Sequence, residues 1–182
     1  MKLKVKSVVL ILTMLLCSLA PAFAYAADPY PKTSPTHGKF GQFKYKEASG
    51  GRIEIDPSWS KSNIVSVSLP GVNKTVSIHK NAKDALVKAF TTIKNDPALL
   101  KKVKTLDGTW VPRHISWDAS KPLSEHSWGI AIDINASANP QGSKPTSDNK
   151  TLWEKAFKPA GFNWGGNFSG SDVDGMHFEM PY

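Results

Sequence analysis

A single domain mixing strands with helices is the fold class this sequence predicts, and three observations carry it. Its 182 residues, 40% of them apolar, suffice for one ordinary core and call for no second domain. Apolar residues alternate with polar ones, imperfectly at Ile64, Val67 and Leu69 and strictly at Ile130, Ile132 and Ile134, which is the period of a strand. Between them Ala82, Ala85, Leu86, Ala89, Phe90 and Ile93 recur at helical spacing with lysines opposite.

Taken in order, residues 1–26 read as a secretion signal. Lys2, Lys4 and Lys6 form a positive end, "VVLILTMLLCSLA" an apolar core, and Ala24 and Ala26 the small residues of a cleavage site. The apolar run is shorter than the roughly 20 residues that span a bilayer, which argues against a stable membrane anchor. A lipid anchor at Cys17 is disfavoured by the large Leu16 before it. Cys17 would leave with the signal, so the mature chain has neither disulfides nor thiolate chemistry, and any metal must be held by histidines and carboxylates.

Residues 27–50 are rich in proline, glycine, serine and lysine with little periodicity, and are expected to be a flexible lead-in that adds little to the core. The domain proper is expected over 51–182. "GRIEI" opens a β region, and "NIVSVSLP" and "KTVSIH" pair across the turn "PGVN". The helix from Ala82 closes before Pro97, and a shorter helical piece, "PALLKKVKT", follows. The long stretch from Leu106 to Trp128 has no clear period, and long structureless loops in compact domains are functional or disordered. "GIAIDIN" is a strand that sets Asp133 on the face opposite its isoleucines. "TLWEKAFKPAGF" is a helix burying Leu152, Trp153, Ala156 and Phe157, "FNWGG" a turn with close backbone approach, and "MHFEM" a last strand with His177 and Glu179 on one face.

Charge narrows the partners. Without the three signal lysines, 20 basic residues face 15 acidic ones, a balance of +5 that suits an anionic surface such as a bacterial cell wall. Nucleic acid is disfavoured because the lysines are scattered, and "KKVK" at 101–104 is explained by a solvated helix face. No separate wall-binding repeat is visible, so targeting would rest on the basic surface, the N-terminal segment or the substrate groove, and a monomer is expected.

An aspartate inside a half-buried strand is costly unless something positive meets it. His126 precedes that strand, Asp133 lies within it and His177 sits on the last strand. Two imidazoles and a carboxylate are an ordinary protein set for a catalytic zinc, with a fourth position left for water or substrate. Gly129 permits the turn that swings His126 back over the strand end. Asp174, three residues before His177, is the expected general base. Asp172 and Glu179 are its local rivals.

The motif "SEHSWGIAID", S-x-H-x-x-G-x-A-x-D, with the acidic residue of "DGMHF" 41 positions beyond its end, resembles the VanY-like zinc D-alanyl-D-alanine carboxypeptidases and L-alanyl-D-glutamate endopeptidases that cleave bacterial peptidoglycan. "GFNWGGNF" is similar to the segment before the last histidine in the endopeptidase-like branch. The resemblance runs from about Gly51 to Phe178. It implies an α+β fold of the hedgehog/D,D-peptidase kind, with a small antiparallel sheet carrying the ligands and helices flanking it. It also implies zinc on His126, Asp133 and His177 and an acidic catalytic residue at Asp174. Arg113 matches an arginine that polarises the scissile carbonyl, and Ser124 a motif serine close to the site. Many carboxypeptidase relatives carry glutamate where this chain has Asp174, so the shorter side chain must be brought closer by the turn at Gly175.

The function expected is therefore hydrolysis of an amide bond in a peptidoglycan stem peptide. The alternative is a non-catalytic, zinc-containing wall-binding module. Arg113 could instead pair with Asp107 or Asp118, and His114 could be a solvated loop residue. His37 and His79 are expected at the surface. Among the tryptophans, Trp110, Trp117, Trp128 and Trp164 could line a groove, of which Trp128 and Trp164 are expected to contact substrate, while Trp59 and Trp153 are expected in the core, where aromatic residues are most often found.

Overall fold

The computed structural model describes residues 27–182, so the signal reading of 1–26 lies outside the described residues. The chain forms β1 (Lys32–Thr33), β2 (Lys44–Glu47), β3 (Ile53–Ile55), α1 (Pro57–Asn63), β4 (Ile64–Leu69), β5 (Lys74–His79), α2 (Lys83–Asn95), α3 (Pro97–Leu100), β6 (Leu106–Gly108), β7 (Ala131–Ile134), α4 (Ser147–Leu152), β8 (Asn163–Trp164) and β9 (His177–Glu179). The strands make three antiparallel sheets, β1-β2-β3, the hairpin β4-β5, and β6-β7-β9-β8. The architecture is mixed α and β with small antiparallel sheets and few helices, as expected. Among the described residues no helix is long and apolar enough to cross a membrane.

The N-terminal segment differs from its compositional reading. Phe40, Phe43 and Tyr45 are buried in the common core, and β2 pairs with β3 through Tyr45 opposite Ile55. Few apolar residues suffice here because each is aromatic and large. "GRIEI" accordingly joins this sheet and not the β4-β5 hairpin, which pairs across the turn "PGVN" as expected, with Ile64 opposite His79 through Leu69 opposite Lys74.

The helix α2 buries Leu86, Ala89, Phe90 and Ile93, the stripe its spacing predicts. It ends at Asp96, whose carboxylate turns to accept from the N–H groups of Ala98 and Leu99 and caps α3, with Pro97 at the first helical position. The last helix begins earlier than its apolar pattern suggests. Thr146 caps it by accepting from Asn149 N–H, and its polar first turn, "SDN", follows that cap. From Trp153 it widens into a looser turn through Phe157 and stops at Gly161.

One strand lies inside the stretch read as structureless: Leu106–Gly108 is β6, which pairs irregularly with β7, Leu106 opposite Ile134 and Gly108 opposite Asp133. Only three residues long and centred on Asp107, it has too little alternation to be recognised from sequence.

Candidate metal centre

Register brings two of the three expected ligands together. Strand β7 pairs with β9 so that Asp133 stands directly opposite His177, and side chains at such a pair rise side by side from one face. His126 arrives from the single helical turn Glu125–Ser127, capped by the Ser124 hydroxyl, which accepts from His126 N–H. Gly129 then turns the chain into β7 with φ of 68°. A Cβ there would lie 3.0 Å from Ile64 Cδ1 and 3.1 Å from His79 N, so the motif glycine answers both a left-handed backbone and a close approach.

The three side chains converge. His126 Nε2 lies 3.1 Å from Asp133 Oδ2, His177 Nδ1 lies 3.2 Å from Asp133 Oδ1, and the two ring nitrogens are 3.2 Å apart. What faces the far side of each ring sets which nitrogens carry hydrogen. His126 Nδ1 is 2.8 Å from the carbonyl of Thr109, which can only accept, so Nδ1 donates and Nε2 is left with its lone pair. His177 Nε2 is 3.0 Å from a carboxylate oxygen of Glu179, with the same consequence for Nδ1.

Two imidazole lone pairs and a carboxylate thus meet in a nearly dry place, His126 and Asp133 having side-chain exposures of 1% and 15%. Lone pairs so disposed repel unless a cation is shared among them. The donor set, nitrogen and oxygen with imidazoles held from behind, is that of a divalent transition-metal site. In the metal-free protein a proton takes that part. Burial alone would push His177 down, but hydrogen bonds to Asp133 and Glu179 outweigh it and raise its pKa to about 10. Burial likewise opposes ionisation of Asp133, and the two imidazoles beside it nevertheless hold its carboxyl well below the usual carboxylate range.

The trio opens into a cleft of about 970 Å³ that is also lined by Arg113, Ser124, Asp172 and Asp174. Asp174 is part-buried and its Oδ1 has no hydrogen-bond partner. Burial raises its pKa; the nearby His177 pulls it down and Asp133 raises it again. Its backbone is fixed on both sides: Asp174 N–H donates to Gly165 O at 2.9 Å, and His177 N–H donates to Asp174 O at 3.2 Å. That is the close approach expected of "FNWGG", since a Cβ on Gly165 would lie 2.5 Å from Asp174 O. Asp172 lines the same cleft but is exposed. Glu179, the other rival for the base, already accepts from His177.

Arg113 is positioned by a residue the motif reading passed over. The Ser127 hydroxyl accepts from Arg113 N–H at 2.9 Å and donates to Arg113 O at 2.8 Å, while Ser124 N–H donates to the same carbonyl. The motif turn and the arginine are thereby one unit. Among the described residues no ion pair joins Arg113 to Asp107 or Asp118; its guanidinium donates to His114 O and stacks near the exposed ring of Trp117, 5.1 Å away.

Several expectations are corrected. Trp128 is fully buried and outside the cleft lining: its indole N–H donates to Gly41 O and its ring packs on His37 and Phe43, so it fastens the N-terminal segment to the motif turn. Trp164, 4% exposed, packs behind β9 on Phe178 and donates to Gly175 O. The aromatic residues that do line the cleft are Trp117 and Phe168, both partly exposed. His37, His79 and His114 are all buried. His114 is a strut, with Nε2 3.0 Å from Glu47 Oε2 and Nδ1 2.5 Å from Lys121 O, tying the loop after Arg113 to β2.

Residues 118–180 match the family model described as D-alanyl-D-alanine carboxypeptidase. No significant match was found among curated proteins or among solved structures. The peptidases of this family are metal-dependent and peptidoglycan-related, and the matched stretch contains the three converging donors together with Asp174 and Gly165. Over that stretch, about a third of its length, the chain is similar to the D-alanyl-D-alanine carboxypeptidase family of peptidases.

Proposed function

We propose that the protein is a secreted zinc peptidase that hydrolyses an amide bond in peptidoglycan stem peptides, either the L-alanyl-D-glutamate bond or the terminal D-alanyl-D-alanine bond. The observation that carries this reading is the convergence of three lone-pair donors beside an unpartnered, part-buried carboxyl and a fixed guanidinium, all facing one cleft. A wall-binding module would have no use for that carboxyl. The secretion signal read in residues 1–26 and the basic balance of the remainder are consistent with work at the cell wall.

When bound by His126, Asp133 and His177, zinc supplies Lewis acidity that polarises a carbonyl and acidifies water. The remaining steps belong to the chain. The Asp174 carboxylate accepts a proton from the attacking water at its free Oδ1 and returns it to the departing amine. Its raised pKa suits both transfers, because burial brings the acid and base forms closer in energy near neutral pH. Arg113, always a cation, faces the charge that develops on the carbonyl oxygen, and the Ser127 clamp fixes its backbone before substrate arrives.

The test is mass spectrometry of purified peptidoglycan fragments incubated with the mature protein, with and without chelator and with zinc restored. Zinc-dependent loss of one D-alanine identifies a carboxypeptidase, and release of a peptide beginning at D-glutamate identifies an endopeptidase. Fragments left intact by zinc-loaded protein would refute the hydrolase reading and favour the binding module.

A further inference from the structure

The ring of His177 is held from behind by a side chain, whereas that of His126 is held by backbone. Glu179 follows two residues later on β9, and side chains two apart on a strand share a face. Its Oε2 stands 3.0 Å from His177 Nε2. The partner strand makes room for this. Asp133 is opposite His177, and opposite Glu179 is Ala131, buried and bearing one methyl group. A larger residue at 131 would put a cross-strand side chain beside the carboxylate.

We propose that Glu179 is a positioning residue that fixes the tautomer of His177 and so sets the affinity of the His126–Asp133–His177 site for a divalent metal. The inference rests on the metal-centre reading above. A carboxylate can only accept, so Glu179 holds a hydrogen on His177 Nε2, and Nδ1, which faces Asp133 Oδ1 and His126 Nε2, is the ring nitrogen left to a metal. In the other tautomer an N–H would point where the metal sits. Thr109 O imposes the same choice on His126, and no side-chain substitution removes a backbone carbonyl. Glu179 is therefore the group through which the idea can be tested.

Glutamine separates charge and tautomer control from shape. Its amide can rotate to present N–H to the ring, which permits the wrong tautomer at nearly unchanged volume. The same carboxylate-to-amide change beside the imidazole of serine proteases leaves geometry intact and disables the site through the tautomer.

The experiment uses the mature chain and its Glu179→Gln and Glu179→Ala variants. Zinc affinity is measured by competition with a chelating dye, and the His177 Nε2–H is observed by nitrogen NMR of the zinc-loaded proteins. Wild type should bind one zinc and show a protected Nε2–H. Both variants should bind zinc ~10–100-fold more weakly and lose that protection. A glutamine variant that binds zinc as tightly as wild type with the proton still protected overturns the inference. Wild-type protein that takes up no zinc overturns the metal-centre reading itself, which is a different and distinguishable failure.

Discussion

Replacing Gly165 with alanine tests how the site is assembled. The added Cβ would stand 2.5 Å from Asp174 O, 3.1 Å from Asp174 Cβ and 3.2 Å from His177 Cβ. Ordinary contact begins at 3.4 Å, so the Asp174 backbone must retreat by about 0.9 Å, and the obstacle is backbone and not a flexible side-chain tip. The Asp174 N–H to Gly165 O hydrogen bond resists that retreat, and His177 N–H, bonded to Asp174 O, is drawn along with it. Misplacing a catalytic group by about 1 Å costs roughly 10²-fold in rate. Overpacking of this kind costs ~1–3 kcal/mol of stability. The assay is the rate of peptide release from purified peptidoglycan by zinc-loaded protein, with zinc content and melting temperature measured on the same samples. We expect a ~100-fold slower Gly165→Ala variant that still folds and still carries zinc. Wild-type turnover in that variant would refute the claim that the glycine positions Asp174.

Three further outcomes are expected. Asp174→Asn should lower turnover by ~10²–10⁴-fold while leaving zinc affinity within a factor of a few, because Asp174 does not belong to the converging trio; loss of zinc together with activity would show instead that it is a ligand. Zinc at 100 times its Kd should stabilise the fold by ~2.7 kcal/mol relative to chelated protein. That corresponds to a rise of roughly 5–10 °C in melting temperature, and identical melting with zinc and chelator would count against a bound metal. His79, 1% exposed, has its pKa lowered to about 4, mainly by burial and further by Lys80. Its folded pKa lies below the unfolded one, so the unfolded chain binds more protons and stability is lost as pH falls from about 6.5 toward 4. The loss between pH 7 and pH 5 is ~2 kcal/mol. Urea unfolding at both pH values should show it in wild type and not in His79→Gln, and equal losses would sink the assignment.

Much of the site was legible in the sequence because metal ligation demands few residue types at restrained spacings. His126, Asp133 and His177 were recognisable as donors, Gly129 as the turn, Asp174 as the carboxyl beside them, and the alternation of "MHFEM" placed His177 and Glu179 on one face. Residue type alone could not say which tryptophans meet solvent. Trp128 and Trp164 sit within the motifs, yet their indoles are buried by Phe43 and Phe178, aromatic partners 85 and 14 positions away in the chain. The buried His114 and His79 were misread for the same reason, since their neighbours, Glu47 for His114 and Phe40 for His79, come from the distant N-terminal segment.

What the sequence determined by itself was local: the period of each strong element, the prolines and glycines that end them, and the chemical nature of the donor set. These depend on neighbours within a turn or a strand face, where covalent connection fixes the geometry. The tertiary structure alone decided the pairing of β7 with β9 that sets Asp133 against His177, the clamp of Ser127 on Arg113, and the choice of Glu179 as partner of His177 over general base. Each is a contact whose energy depends on what else is buried around it, and that environment is made by residues far apart in the chain.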